Sequence, residues 1–138
     1  MRLLGLIVIL FAFVPAHSAA LKSAADFFAE SKALHTKARQ EKSKTKKYAQ
    51  LLELKKSFDK ELKLYRQSPS QDLKPQLAVS RLYYAFEPAF ELTTKKEISP
   101  KECERIKLSV KATDGSGKED GPSPESAEVL RWLDLLCD

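Results

Sequence analysis

Residues 99–137 read SPKECERIKLSVKATDGSGKEDGPSPESAEVLRWLDLLC, and this stretch decides the fold. Ser99-Pro100-Lys101-Glu102 supplies a serine N-cap, a proline at the first helical position and a glutamate three residues after the serine. That is the sequence form of a capping box. The helix it opens carries Cys103, Ile106 and Val110 at helical spacing, and the glycine-rich polar run from 113 to 123 ends it. Ser123-Pro124-Glu125 then opens a second helix bearing Val129, Leu130, Trp132, Leu133, Leu136 and Cys137. Cys103 falls in the first turn of one helix and Cys137 in the last turn of the other. In an antiparallel helical hairpin over 100–137 those ends are neighbours, so a Cys103–Cys137 disulfide is expected to tie the open end. Closing a loop of 34 residues contributes about 3.8 kcal/mol on a chain-entropy account.

The rest of the chain agrees with a helical reading. Beyond residue 20, glycine is confined to 115, 117 and 121, and proline to 69, 75, 88, 100, 122 and 124. Residues 21–67 hold neither. Ala24, Phe27, Phe28, Ser31, Leu34 and Ala38 recur there at spacings of three and four, as do Tyr48, Leu51, Leu52, Phe58, Leu62 and Tyr65. Between the two sets, Arg39 to Lys47 is wholly polar. A single helix over 22–66 would run about 67 Å, further than its neighbours could cover. Two helices joined near Lys42–Thr45 are therefore expected. Residues 75–92 form the most apolar segment and are expected to be the central helix, kinked or ended at Pro88. Leu, Ala, Lys and Glu dominate while Ile and Val are scarce, which favours helices over strands. The expected fold is all-α, a bundle of four or five helices in one domain, residues 21–138.

The first twenty residues stand apart. Arg2 precedes an apolar run, Leu3 to Val14, and a small-residue end at Ser18-Ala19-Ala20. This is the pattern of an export signal, and its apolar core is too short to span a bilayer. Excluding it, about 37% of the chain is apolar, against 43% for the whole. The expected protein is thin-cored, with no transmembrane span after signal removal, and is exported to a periplasm or the extracellular space. The paired cysteines suit such a compartment.

Few residues offer chemistry. His35 is the one histidine beyond the signal and is expected at the surface. The chain has no serine in a Gly-x-Ser-x-Gly turn, no phosphate-binding glycine loop and no haem-attachment motif. Glu87 and Glu91, one turn apart, could line a polar notch with Tyr83 or Tyr84, but such helical pairs are usually solvated. No catalytic residue, cofactor or metal site is expected. Tyr83, Tyr84, Phe86, Phe90 and Trp132 are expected to build core or an aromatic contact surface.

Charge is the most informative feature. Residues 32–66 hold twelve Lys or Arg against four Asp or Glu, whereas residues 87–138 hold eight against twelve. The densest patch, Lys42, Lys44, Lys46 and Lys47, sits at the expected joint. It either attracts anionic surfaces or only keeps a lean bundle soluble and complements its acidic half. Nucleic acid is an unlikely partner, because export removes the chain from it and no aromatics interleave the lysines. The sequence therefore reads as a non-catalytic exported binding protein acting on another exported protein as inhibitor, chaperone or accessory subunit. The alternative is a binder of anionic envelope or matrix polymers or lipid headgroups through 32–66.

Overall fold

A computed structural model describes residues 21–68, 70–112 and 122–138. Residues 1–20, expected to be an export signal, Pro69, and residues 113–121, where the glycine loop was expected, lie outside the described residues. The described chain is 81% helical, with five helices and no strand. These are α1 (Ala24–Gln40), α2 (Lys44–Gln67), α3 (Lys74–Leu92), α4 (Pro100–Ala112) and α5 (Pro124–Cys137).

Side-chain caps set most of the helix starts. Ser23 caps α1 by accepting from the Asp26 N–H at 3.2 Å, and the Asp26 carboxylate accepts from the Ser23 N–H at 2.8 Å. This reciprocal box went unread because aspartate replaces the usual glutamate. Ser43 caps α2 through the Lys46 N–H at 3.2 Å. The polar run between the two apolar sets thus breaks the helix, and α1 and α2 are separate. Ser99 accepts from the Glu102 N–H at 3.1 Å, but the Glu102 carboxylate turns to Lys95 and, at 3.8 Å, to Arg105. The expected capping box is therefore half made, since an ammonium outbids a neutral backbone N–H for a carboxylate. Ser123 caps α5 through the Ser126 N–H at 3.2 Å. Pro88 does not end α3, which continues to Leu92.

Two helices share the centre. α3 and α5 each pack against all four others, whereas α4 packs only against α3 and α5. The expectation of one central helix over 75–92 is thus widened to a pair. Leu82, Phe86, Ala89 and Phe90 from α3 meet Val129, Trp132, Leu133 and Leu136 from α5 in a single core with Phe27, Leu51, Leu54 and Phe58. Phe58 is its aromatic hub. Its ring stacks on Phe27 at 4.2 Å and lies 6.0 Å from Phe86 and 6.4 Å from Phe90. Such rings add to burial when offset or edge-on.

Cys103 and Cys137 are bonded, with Cα atoms 6.0 Å apart. That spacing is usual for a disulfide and joins the start of α4 to the end of α5. No described helix is long and apolar enough to cross a membrane.

Candidate functional site

A buried polar cluster lies between α1 and α5. Trp132 Nε1 donates to Ser31 Oγ at 2.9 Å, and Ser31 Oγ donates to Glu128 Oε1 at 2.7 Å. Arg131 reaches the same carboxylate oxygen at 3.1 Å. Ser31 and Trp132 are fully buried and Glu128 nearly so. A buried carboxylate is tolerated here because a cation and a hydroxyl both serve it. His35 lies one turn beyond Ser31, half-buried, its ring edge-on to Trp132 at 5.1 Å. Its Nε2 is 3.2 Å from the Arg131 carbonyl oxygen. The surface position expected for His35 is corrected: Trp132 draws the ring inward. Burial, first of all, holds the His35 imidazole below its ordinary range, with the Arg131 charge acting in the same direction. The cluster resembles catalytic hardware only in its residue types. Ser31 is sealed from solvent, and its hydroxyl spans an indole and a carboxylate rather than facing a base.

The five aromatic candidates divide. Phe86, Phe90 and Trp132 are core, Tyr83 is half-buried, and Tyr84 is 65% exposed. Glu87 and Glu91 do share a notch with Tyr83, closed by Lys55, Phe90 and Thr94, of about 280 Å³. Burial, and next the Asp59 charge, raise the Tyr83 hydroxyl above its ordinary value. Lys55 is raised by its hydrogen bond to Asp59, at 3.0 Å. Both shifts run against a base working near neutrality. No cluster of three or more His, Cys, Asp or Glu suited to a metal occurs among the described residues.

The lysine patch has a different character. Lys42, Lys44 and Lys46 are exposed and Lys47 is half-buried around the start of α2. Lys44 also lines an open groove of about 760 Å³ between the first turns of α2 and the link from α3 to α4. Tyr48, Leu52 and Ile98 form the apolar part of this groove, and Lys95, Lys96 and Glu97 its far rim. Lys95 is paired with Glu102. Lys42, Lys44, Lys46, Lys47 and Lys96 have no ion-pair partner among the described residues. The first turn of α2 contains no acid. Cations there oppose the positive end of the helix dipole, so the arrangement carries a small stability cost. A patch that only kept the protein soluble would be cheaper elsewhere on α2.

Sequence reasoning located the four lysines but missed the opposing rim. Lys95, Lys96 and Ile98 lie about fifty residues away, and only the packing of α3 beside α2 brings them to the groove. The adjacent lysines at the end of an apolar helix were the available signal. No family model, curated protein or solved structure matches the chain.

Proposed function

We propose that the protein is a non-catalytic exported binding module that acts on another exported protein, and that its lysine-rich end engages an acidic segment of that partner. The observation that carries this reading is the groove in which unpaired Lys44 and Lys96 flank the apolar Tyr48, Leu52 and Ile98. A ligand with both carboxylates and a bulky apolar side chain would satisfy both surfaces. Export is supported by the short signal-like segment and by the Cys103–Cys137 bond, which persists in oxidising compartments.

The second reading, capture of anionic polymers or headgroups, is favoured by the solvent exposure of Lys42 and Lys46 outside the groove. Binding of an acidic peptide bearing one leucine or phenylalanine, measured in parallel with anionic phospholipid vesicles and a sulfated polysaccharide, separates the two. On the first reading Leu52→Asp abolishes peptide binding, as does combined Lys44→Ala and Lys96→Ala. Equal affinity for all three probes, untouched by Leu52→Asp but lost on removing the lysines, establishes the second reading instead. Recovery of a stoichiometric partner with the protein from its native compartment is the corresponding test on the whole system.

A further inference from the structure

Glu61 on α2 is 7% exposed as a residue, and a carboxylate with so little water around it gains from a cation placed beside it. It accepts one bond in this structure, from the backbone N–H of Lys22 at 2.6 Å, and has no ion-pair partner among the described residues. The Lys22 ammonium is committed elsewhere, to Glu30 at 3.2 Å and Ser57 at 3.0 Å. The same two residues of chain are held in further ways. Tyr65 donates its hydroxyl to the Lys22 carbonyl at 2.7 Å, and Leu21 packs half-buried against the core. Residues 21 and 22 are therefore seated on α2, beside a buried carboxylate that lacks a counter-charge.

These are also the residues that follow the small-residue end of the export segment, Ser18-Ala19-Ala20. We propose that hydrolysis of the Ala20–Leu21 bond creates an α-ammonium on Leu21 that pairs with Glu61, making α2 the binding site for the processed amino terminus. The inference rests on the export reading above. In the cleavage, water adds across the peptide bond; Ala20 keeps the new carboxylate and the Leu21 nitrogen takes up protons to become the ammonium. A processing protease of the exporting cell supplies the catalysis. The Leu21 nitrogen is one residue, about 3.6 Å of chain, from the nitrogen that already touches Glu61, so a small rotation of a freed terminus reaches the carboxylate.

The surroundings leave this role open to the new terminus. On α1, Asp26 is engaged by Ser23, and Glu30 by Lys22 and Ser57. Ahead of α3, Asp72 accepts from the Lys74 N–H. On α2 the Tyr65 hydroxyl is raised by burial first and by the Glu61 and Asp26 charges next, so it stays neutral and adds no competing charge. Pairing should raise the terminal ammonium above its usual range, about 7.7–8.0. That protects it from acylation near pH 7.

The test expresses the full chain, with its own first twenty residues, in an exporting host and purifies the exported product. Intact mass and terminal sequencing should give a chain starting at Leu21. Acylation by an amine-reactive acetyl ester at pH 7 should modify that terminus at least tenfold more slowly in the native protein than in urea. Glu61→Gln should abolish the protection. A terminus at any other residue overturns the inference and leaves export standing, whereas an uncleaved chain overturns export itself. A Leu21 terminus that reacts equally fast in the native and unfolded states, or stays protected in Glu61→Gln, also overturns the pairing. The native-versus-unfolded comparison uses the unmutated protein, so it decides the matter even if Glu61→Gln does not fold.

Discussion

The two helical hairpins of this protein close their open ends by different means. α4 and α5 are tied by the Cys103–Cys137 bond. α1 and α2 are closed by polar contacts: the Lys22 N–H on Glu61, Tyr65 on the Lys22 carbonyl, and Ser57 on Glu30 at 2.9 Å. A covalent tie acts largely by restricting the unfolded chain, and short of reduction it does not depend on the water around it. A polar clamp holds only while its groups stay desolvated, so water reaching it weakens it. The hairpin that carries the lysine groove is thus the one whose closure can be adjusted. The other hairpin is fixed.

Trp132 spans both hairpins, and replacing it tests whether they fold as one unit. Trp132→Ala should cost about 3–5 kcal/mol in urea unfolding, in a single transition, because it opens a cavity and removes the indole donor from buried Ser31. Two separated transitions would mean that the hairpins are independent.

Removing the covalent tie should come next in size. The Cys103→Ser, Cys137→Ser pair should lose about 3.8 kcal/mol on the chain-entropy account, for a sequence separation of 34. Amide exchange should then speed first in α4, which packs only against α3 and α5. Faster exchange in α1 instead would reverse the assignment of the fixed and adjustable hairpins.

A smaller effect distinguishes the two kinds of helix start. Ser23→Ala removes the hydroxyl half of a reciprocal box, leaving the backbone N–H on Asp26, and should cost about 1 kcal/mol, read as a shift in urea midpoint. Ser99→Ala removes the same kind of bond but should cost less, because the disulfide holds the following turn.

His35 contributes a slope with pH. Its imidazole is held below its ordinary value of 6.5, so the unfolded chain takes the proton first as pH falls. Stability is unaffected well above pH 6.5, declines as pH drops through it, and levels once folded His35 is also protonated. Melting temperature followed from pH 7.5 to 5 should therefore fall more in the native sequence than in His35→Asn. Equal slopes would show that the ring is not held neutral by the α1–α5 contact.

What was legible in the sequence was local. Helix boundaries followed from serine, proline and glycine acting on their own neighbours, and even the break between α1 and α2 was marked by the absence of apolar residues from 39 to 47. The disulfide was legible because two helix ends in one hairpin have little choice of partner. The two misread positions, Glu102 and His35, depended on distant competition. Glu102 was expected to serve Ser99 but faces Lys95, and His35 was expected in solvent but lies against Trp132, ninety-seven positions on.

The sequence by itself determined the helices, the uneven charge and the covalent closure of the C-terminal hairpin, because each depends on spacing along the chain. The tertiary structure alone decided which polar groups are buried together. It set Ser31 beneath Trp132 and Glu128, gave the lysines a groove with a second rim, and placed Glu61, which has no ion-pair partner among the described residues, beneath Leu21 and Lys22. The physical reason is that desolvation belongs to the packed assembly. A carboxylate that would be ordinary on an isolated helix becomes a demand for a partner only when the neighbouring helices exclude water from it.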